Sequence, residues 1–269
     1  MSEIERITSR DNRRLINARN VRDGKVKTQI FVEGRRLVSE ALRSDLIINE
    51  CFVSEDFREE ELIASLRLHT EKVIELSTKL FSTVADTEQS QGILVLADRP
   101  ISGRLLIEEN LNSNSVRLVI FLKEINNPSN LGAILRSAEA AGVAGVVVST
   151  NSADPFSAKA LRSAMGSGFR LPVWENVTFD EAISWAVTHT LIPTAADTSA
   201  DRSYTESDWK VPRLLILGSE AHGLTNEELG KIPEKVKIPM QNGVESLNLA
   251  VSAAVLMFEA QRQIQISQP

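Results

Sequence analysis

The amino-acid sequence predicts an α/β protein built from two successive units, each with strands and helices in alternation. In roughly the first hundred residues, four short apolar strands alternate with helices; the strands are expected at 28–32, 46–53, 73–76 and 93–96. A second alternating series begins at residue 116, where apolar runs show little polar–apolar alternation. Such runs are typical of parallel strands buried on both faces. We therefore expect a parallel sheet in the second unit.

The first unit is expected to begin with a basic helical arm over residues 1–25. Further helices follow from apolar positions at helical spacing, at 35–42, 59–68 and 80–85. Residues 98–115 lose this periodicity and contain Pro100, Gly103 and a run of Asn and Ser, which predicts a partly helical linker. The predicted boundaries are a first domain at 1–99, a linker at 100–115 and a second domain at 116–269.

In the second unit, the apolar runs predict strands at 116–122, 143–149, 191–196, 214–217 and 236–238. The intervening patterns predict helices at 132–141, 157–165, 180–188 and 247–263. The last of these is apolar on nearly every side, so it should be buried on nearly every side. We expect a second copy of the chain to cover part of it, which predicts a homodimer.

Composition narrows the class of protein. The chain has 269 residues, a net charge of −6 and one cysteine, Cys51, which excludes an internal disulfide or a cysteine-based metal cluster. The start of the sequence lacks the apolar region of a secretory signal, and no run approaches the length of a membrane span. The three histidines lack metal-ligand spacing. We expect a cytoplasmic protein without a metal.

Basic residues concentrate at the start of this acidic chain. The first 45 residues carry eleven Arg and Lys against seven acidic residues. This distribution fits a nucleic-acid-binding surface, and it fits equally well a solvated helix face with ion pairs.

The stretch around residues 122–142 suggests a functional surface on a helix. Pro128 and Asn130 mark the helix start, and four apolar positions from residue 131 onward share one face. Arg136 lies off that face, and its neighbours one turn away are small: Gly132, Ala133 and Ala140. Another molecule could approach it closely. Taken alone, this residue is better explained as an ordinary solvated arginine.

A second candidate is the loop between Gly218 and Gly223, which follows a predicted strand end, where open α/β sheets bind ligands. Its glycine spacing matches a phosphate-binding loop, but Leu224 replaces the required lysine, so nucleoside triphosphate binding is not supported. Glu220 is the ionisable group at the centre of the loop. The alternative is that it only complements the dipole of the following helix.

A third candidate is the loop-to-helix junction at 238–252. Here Ser246 is expected to cap the last helix, with Asn248 in its first turn, where an amide suits ligand contact better than helix formation. The sequence contains neither the G-x-G-x-x-G dinucleotide pattern nor the G-x-S-x-G hydrolase pattern.

Taken together, these junctions resemble the three motifs of the SpoU/TrmH branch of the SPOUT RNA methyltransferases. The matching segments, in order, are NPSNLGAILR at 127–136, LGSEAHGL at 217–224, and IPM at 238–240 followed by ESLNL at 245–249. RSAMG at 162–166 and LPV at 171–173 resemble the family's intermediate segment. FVEGRRLV at 31–38 resembles its L30e-like RNA-binding domain.

The resemblance implies a C-terminal SPOUT α/β domain with a parallel sheet and a trefoil knot, an N-terminal L30e-like domain, and a homodimer. It implies S-adenosyl-L-methionine as the cofactor and no metal. The positions carried over for cofactor binding are Leu217, Gly218, Ile238, Met240 and Leu247. Those carried over for catalysis are Asn130, Arg136, Glu220, Ser246 and Asn248. The family commonly has Asp where this chain has Asn127.

The implied reaction is methyl transfer to a ribose 2′-hydroxyl of structured RNA, with 23S ribosomal RNA preferred over transfer RNA as the substrate. A non-catalytic RNA-binding protein is the alternative from another class. A guanidinium, with its pKa above 12, is a demanding choice of base, so we expect Arg136 to stabilise charge and position the substrate. The residues expected to contact RNA are Arg10, Arg13, Arg14, Lys27, Arg35 and Arg36.

Overall fold

The computed structural model describes residues 5–113 and 116–266, which divide into two compact units. The first unit comprises residues 1–100 together with 156–170, and the second comprises 101–155 and 171–269. The predicted domains were continuous, so the structure differs in placing 156–170 with the first unit. Residues 1–4, 114–115 and 267–269, which the predicted boundaries include, lie outside the described residues.

The first unit contains a mixed five-stranded sheet in the order β1-β4-β3-β5-β2. Its strands are β1 (Glu5–Ile7), β2 (Gln29–Glu33), β3 (Ile48–Ser54), β4 (Val73–Leu76) and β5 (Ile93–Asp98). β5 runs antiparallel to both β2 and β3, whereas β1, β4 and β3 are parallel neighbours. Between these strands lie α1 (Arg13–Arg22), α2 (Arg35–Arg43), α3 (Glu60–Arg67) and α4 (Thr78–Ser82).

The predicted helical arm over 1–25 is only partly correct. Glu5–Ile7 forms β1, which pairs with β4, and the helix begins after Asn12, whose side-chain oxygen accepts from the Arg14 N–H at 2.9 Å. A three-residue strand is held by its partner strand and is too short to show a period of its own.

Two short helices complete the first unit, α7 (Ala158–Ala164) and α8 (Ser167–Arg170). Ala158 joins the core cluster that contains Phe31 of β2, and α7 packs on that strand. Arg170 pairs with Glu40 at 2.9 Å. Because these contacts are apolar burial and ion pairing between segments more than a hundred residues apart, no local pattern could predict them.

The second unit contains six parallel strands in the order β11-β9-β10-β6-β7-β8. They are β6 (Leu118–Leu122), β7 (Gly145–Ser149), β8 (Val173–Val177), β9 (Ile192–Ala196), β10 (Arg213–Leu217) and β11 (Glu234–Val236). The predicted parallel sheet is confirmed. The sequence missed the edge strand β8, because its Trp-Glu-Asn centre lacks the apolar run by which the others were found.

The helices of this unit are α5 (Arg104–Ser113), α6 (Pro128–Ala140), α9 (Phe179–Thr188), α10 (Asn226–Lys231) and α11 (Leu249–Ile266). α5 lies within the stretch predicted as a partly helical linker, and its Ile107 is fully buried in the core. A Cβ on Gly145 would lie 2.5 Å from an Ile107 carbon, so the glycine permits the close packing of α5 on β7.

α11 begins at Leu249, two residues later than predicted. Its inner face is buried, and Val251 and Phe258 are 49% and 44% exposed in the single chain. That a second copy covers them stays a prediction. Seven residues apart, Val251 and Phe258 lie on one side of the helix.

Among the described residues, none of the helices is both long and apolar enough to cross a bilayer.

Candidate active site

A cavity of about 820 Å³ opens where β9, β10 and β11 end. Its lining includes Ala196, Leu217 and Val236, the last residues of these strands. The start of α6 and the start of α11 close other sides. Carboxyl ends of neighbouring parallel strands are the usual ligand site of open α/β sheets.

All five residues predicted to bind the cofactor line this cavity. Four of them have apolar side chains and one is a glycine: Leu217, Ile238, Met240 and Leu247, with Gly218. Leu256 of α11 adds a further apolar side chain to the lining. The cavity therefore combines an apolar floor with the polar loop that follows β10.

That loop folds back tightly on itself. The Gly223 N–H donates to the Ser219 carbonyl at 2.9 Å. A Cβ on Gly218 would lie 2.3 Å from the Gly223 carbonyl carbon, well inside any van der Waals contact. Residue 218 must therefore be glycine for the loop to close, which is the close-approach role of glycine rather than a need for positive φ.

The far end of the loop is fixed by a helix cap. Thr225 and Glu228 form a capping box at the start of α10. Lys123, which follows β6, pairs with Glu228 at 3.0 Å. Burial raises the pKa of Glu228, but hydrogen bonds from Thr225 and Lys123 outweigh it and hold the pKa below its ordinary value. The loop is thus held by β10 at one end and by a charged, hydrogen-bonded cap at the other.

Three of the predicted catalytic residues form one hydrogen-bonded chain. Asn248 Nδ2 donates to Asn130 Oδ1 at 3.2 Å, and Asn130 Nδ2 donates to a Glu220 carboxylate oxygen at 2.6 Å. An ionised carboxylate can only accept, so Glu220 fixes the orientation of both amides. The chain joins the starts of α6 and α11 to the loop after β10.

The prediction that Ser246 caps the last helix, with Asn248 in its first turn, is wrong. α11 begins at Leu249, and the Asn248 side-chain oxygen accepts from the Ala250 N–H at 2.9 Å. Asn248 is therefore the N-cap residue, one of the types best suited to that position. Ser246 lines the cavity beside it. The same Asn248 amide thus caps a helix with its oxygen and contacts Asn130 with its nitrogen.

Asn127 also serves as a cap. Its side-chain oxygen accepts from the Ser129 N–H at 2.9 Å at the start of α6, and the residue lines the cavity. Asn and Asp cap helices about equally well. The structure therefore gives a local reason why this chain can carry Asn at a position where Asp is common in the resembling family.

Arg136 is the one predicted catalytic residue that does not line the cavity of the single chain. It is exposed on α6, and within residues 5–113 and 116–266 it makes no hydrogen bond or ion pair. α6 packs on α11, which carries the exposed Val251 and Phe258.

Sequence reasoning missed Asp197 and Thr198, which line the cavity directly after β9. Asp197 Oδ1 accepts from the backbone N–H and the hydroxyl of Ser199, both at 2.9 Å. Only the position of Asp197 in the sequence could have revealed it. An acidic residue that directly follows a predicted parallel strand lies at the carboxyl end of the sheet, as Gly218 does.

The predicted RNA-binding residues differ in their surroundings. Arg14 pairs with Glu5 at 2.6 Å, and Arg35 pairs with Glu59. These two arginines therefore agree with the alternative explanation, a solvated helix face with ion pairs. Three others are exposed and have no ion pair with any described residue: Arg10, Arg13 and Arg36. Lys27 is exposed as well.

No cluster of three or more metal-binding side chains is found in the part of the chain that the structure describes. Cys51 is buried in β3, and burial raises the pKa of its thiol to about 12. A neutral, buried thiol is a packing residue rather than a nucleophile.

The part of the chain that forms the cavity also matches a known protein family. The sequence profile of the SpoU rRNA methylase family matches residues 117–258, which include every residue that lines the cavity. The chain belongs to this family. The profile of the MRM3-like substrate binding domain matches residues 13–95 of the first unit.

Individual members of the SpoU rRNA methylase family resemble this chain over most of its length. The 23S rRNA (guanosine(2553)-2′-O)-methyltransferase RlmP of Bacillus subtilis is 34% identical over 87% of this chain and 89% of its own. The mitochondrial rRNA methyltransferase 3A of Danio rerio is 29% identical over 88% of this chain, which spans 64% of that protein. The AdoMet-bound rRNA methyltransferase from Sinorhizobium meliloti superposes with a TM-score of 0.83 at 26% identity, covering 97% of this chain and 98% of its own.

Proposed function

We propose that this protein transfers a methyl group from S-adenosyl-L-methionine to a ribose 2′-hydroxyl of ribosomal RNA. The observation that carries this proposal is the meeting of all three family motifs at one cavity, through the chain Asn248–Asn130–Glu220. Relatives that match this chain over most of its length are named as rRNA methyltransferases, which favours ribosomal over transfer RNA.

The cavity suits S-adenosyl-L-methionine in size and chemistry. Its volume of about 820 Å³ lies within the range of small-molecule sites. Leu217, Ile238 and Met240 offer apolar surface to an adenine ring and the carbon chain of a methionine, while Gly218 lets the backbone approach closely. Asp197 offers a carboxylate to hydroxyl or ammonium groups.

When bound, the cofactor supplies an electrophilic methyl group on a sulfonium. The protein's task is then to hold a ribose hydroxyl in line and to stabilise the charge that develops on its oxygen. Asn130 and Asn248 are suited to hold the ribose, because Glu220 fixes their orientation and each keeps a free N–H. Ser246 adds a hydroxyl at the same edge of the cavity.

Arg136 is proposed to act from the other subunit of a homodimer. In one chain it is exposed and does not line the cavity, and its helix packs on α11, which carries exposed apolar side chains. Covering Val251 and Phe258 with a second copy would place two such arginines at the interface. There the guanidinium would hold a phosphate or stabilise the developing alkoxide. The trefoil knot implied by the family resemblance stays a prediction.

The test is an assay of methyl transfer from tritiated S-adenosyl-L-methionine to unmodified 23S rRNA and to unmodified tRNA transcripts. The proposal predicts incorporation into the rRNA. Incorporation into tRNA alone would contradict the choice of substrate. Calorimetric titration of the cofactor without any heat, together with retained RNA binding, would instead identify a non-catalytic RNA-binding protein.

A further inference from the structure

A second polar groove lies in the first unit, at the amino ends of β2, β3 and β4. It has a volume of about 340 Å³ and is lined by Arg13, Arg14, Asn17, Gln29, Asn49, Glu50 and Lys72. Gln29 begins β2, Asn49 is the second residue of β3, and Lys72 directly precedes β4. Arg35 and Arg36 follow the carboxyl end of β2, whereas the groove lies at its amino end. The groove and these two arginines are therefore at opposite ends of the strands.

The three amides of the groove form a directed chain. Asn17 Nδ2 lies 3.4 Å from Gln29 Oε1, Gln29 Nε2 donates to Asn49 Oδ1 at 2.8 Å, and Asn49 Nδ2 donates to Asp98 at 3.1 Å. Because the Asp98 carboxylate can only accept, it sets the direction of the whole series. Each amide keeps one N–H and lone pairs in a fixed orientation. Such groups can read the edge of an unpaired nucleobase.

The charges of the groove favour an anionic ligand. Three cations line it against the single carboxylate of Glu50. Arg14 faces Glu50 at 3.4 Å, and burial raises the pKa of Glu50 while Arg14 and Lys72 oppose that rise. Arg13 and Lys72 make no ion pair with any residue in the described ranges, so their charges are available to phosphates.

We propose that this groove binds one unpaired nucleotide of the RNA substrate, its phosphates at Arg13 and Lys72 and its base edge at Asn17, Gln29 and Asn49. The proposal rests on the proposed function, because it assumes that the substrate is RNA. It adds that the first unit recognises a single-stranded element of the RNA. The recognition site is at the amino ends of β2, β3 and β4, away from Arg35.

The experiment measures binding of the full chain to two labelled RNAs by fluorescence anisotropy, a stem-loop with an unpaired loop and a fully paired duplex of equal length. The variants are Arg13→Ala/Lys72→Ala and Gln29→Ala. The matched control is Arg67→Ala/Lys79→Ala, which removes two cations elsewhere in the same unit. Thermal melts and S-adenosyl-L-methionine titrations of every variant show whether each unit remains folded.

The variant Arg13→Ala/Lys72→Ala is expected to bind the stem-loop more weakly. The slope of log binding constant against log salt concentration should become shallower by about 1.4, or about 0.7 for each phosphate that the protein no longer neutralises. Gln29→Ala should reduce the preference for stem-loop over duplex about fivefold. The control should match the wild type. Groove variants that bind both RNAs like the wild type would overturn the proposal. Failure of the wild type to methylate RNA would contradict the proposed function, and the anisotropy measurements would still decide the groove.

Discussion

The Asn130 side chain donates to a carboxylate oxygen of Glu220 at 2.6 Å, across 90 residues of sequence. This hydrogen bond joins the first turn of α6 to the loop after β10. Glu220 is exposed and Asn130 is only half-buried, so the bond contributes little to folding stability. Its effect is to orient the amides of Asn130 and Asn248 toward the cavity.

Glu220→Ala is expected to lower kcat for methyl transfer by about a hundredfold, because the two amides lose their fixed orientation. Glu220→Gln should retain most of the activity, since its side-chain oxygen can still accept from Asn130. Single-turnover rates on rRNA separate these outcomes. If Gln were as damaging as Ala, the negative charge itself would be needed, and a positioning role would be insufficient.

Arg136→Ala is expected to reduce methyl transfer by at least about a hundredfold, the usual effect of removing a group that stabilises developing charge. Binding of S-adenosyl-L-methionine should stay at the wild-type level, because Arg136 does not line the cavity. The control is Arg117→Ala, which removes an exposed arginine of the same unit. Wild-type activity in Arg136→Ala would refute the assigned role.

Mixing two inactive variants tests whether Arg136 acts across a dimer. Subunits carrying Arg136→Ala keep the cavity, and subunits carrying Gly218→Ala keep the arginine. If each site combines groups from both chains, random mixing should restore about a quarter of the activity, since half of the dimers are mixed and each of those has one complete site. Sedimentation of the wild type as a monomer would contradict the proposal at its first step.

Gly218→Ala is expected to abolish cofactor binding, because its Cβ would lie 2.3 Å from the Gly223 carbonyl carbon and force the loop open. Gly230→Ala is the matched control. It lies inside α10, where an added Cβ meets nothing within 4 Å, and the change should stabilise the helix by up to about 1 kcal/mol. Calorimetric titration gives the affinities. Equal affinities for the two variants would show that the loop tolerates opening.

Glu228 predicts a pH dependence of stability. Its pKa is lowered in the folded protein, so its contribution is present above about pH 4.3, where an unperturbed glutamate titrates, and is lost as the pH falls through the lower native value. Glu228→Gln should therefore be less stable than the wild type at pH 7. The difference should shrink below pH 4. Urea unfolding at pH 7, 5 and 3.5 measures it, and a pH-independent difference would contradict the ion pair with Lys123.

The sequence predicted the parallel sheet and the residues around the cavity well, because both depend on local signals. Apolar runs marked five of the six strands, and glycine and polar residues marked the loops at their carboxyl ends. All five predicted cofactor residues and four of the five predicted catalytic residues line one cavity. Their roles in binding and catalysis stay predictions.

The features that the sequence missed depend on distant contacts or on single hydrogen bonds. β1 exists because β4 pairs with it, and 156–170 joins the first unit through contacts such as Arg170 with Glu40. The choice of Asn248 over Ser246 as the cap of α11 turned on one bond to the Ala250 N–H. Asn and Ser are about equally good caps, so composition could not decide between them.

Ribose 2′-O-methylation of ribosomal RNA is the central claim, and nucleoside analysis of the methylated product tests it most directly. Unmodified 23S rRNA is incubated with the protein and labelled S-adenosyl-L-methionine, then hydrolysed with alkali. A methylated 2′-hydroxyl cannot attack the adjacent phosphate, so the label is expected to stay in an alkali-resistant dinucleotide. Label recovered in ordinary mononucleotides would place the methyl group on a base and contradict ribose methylation.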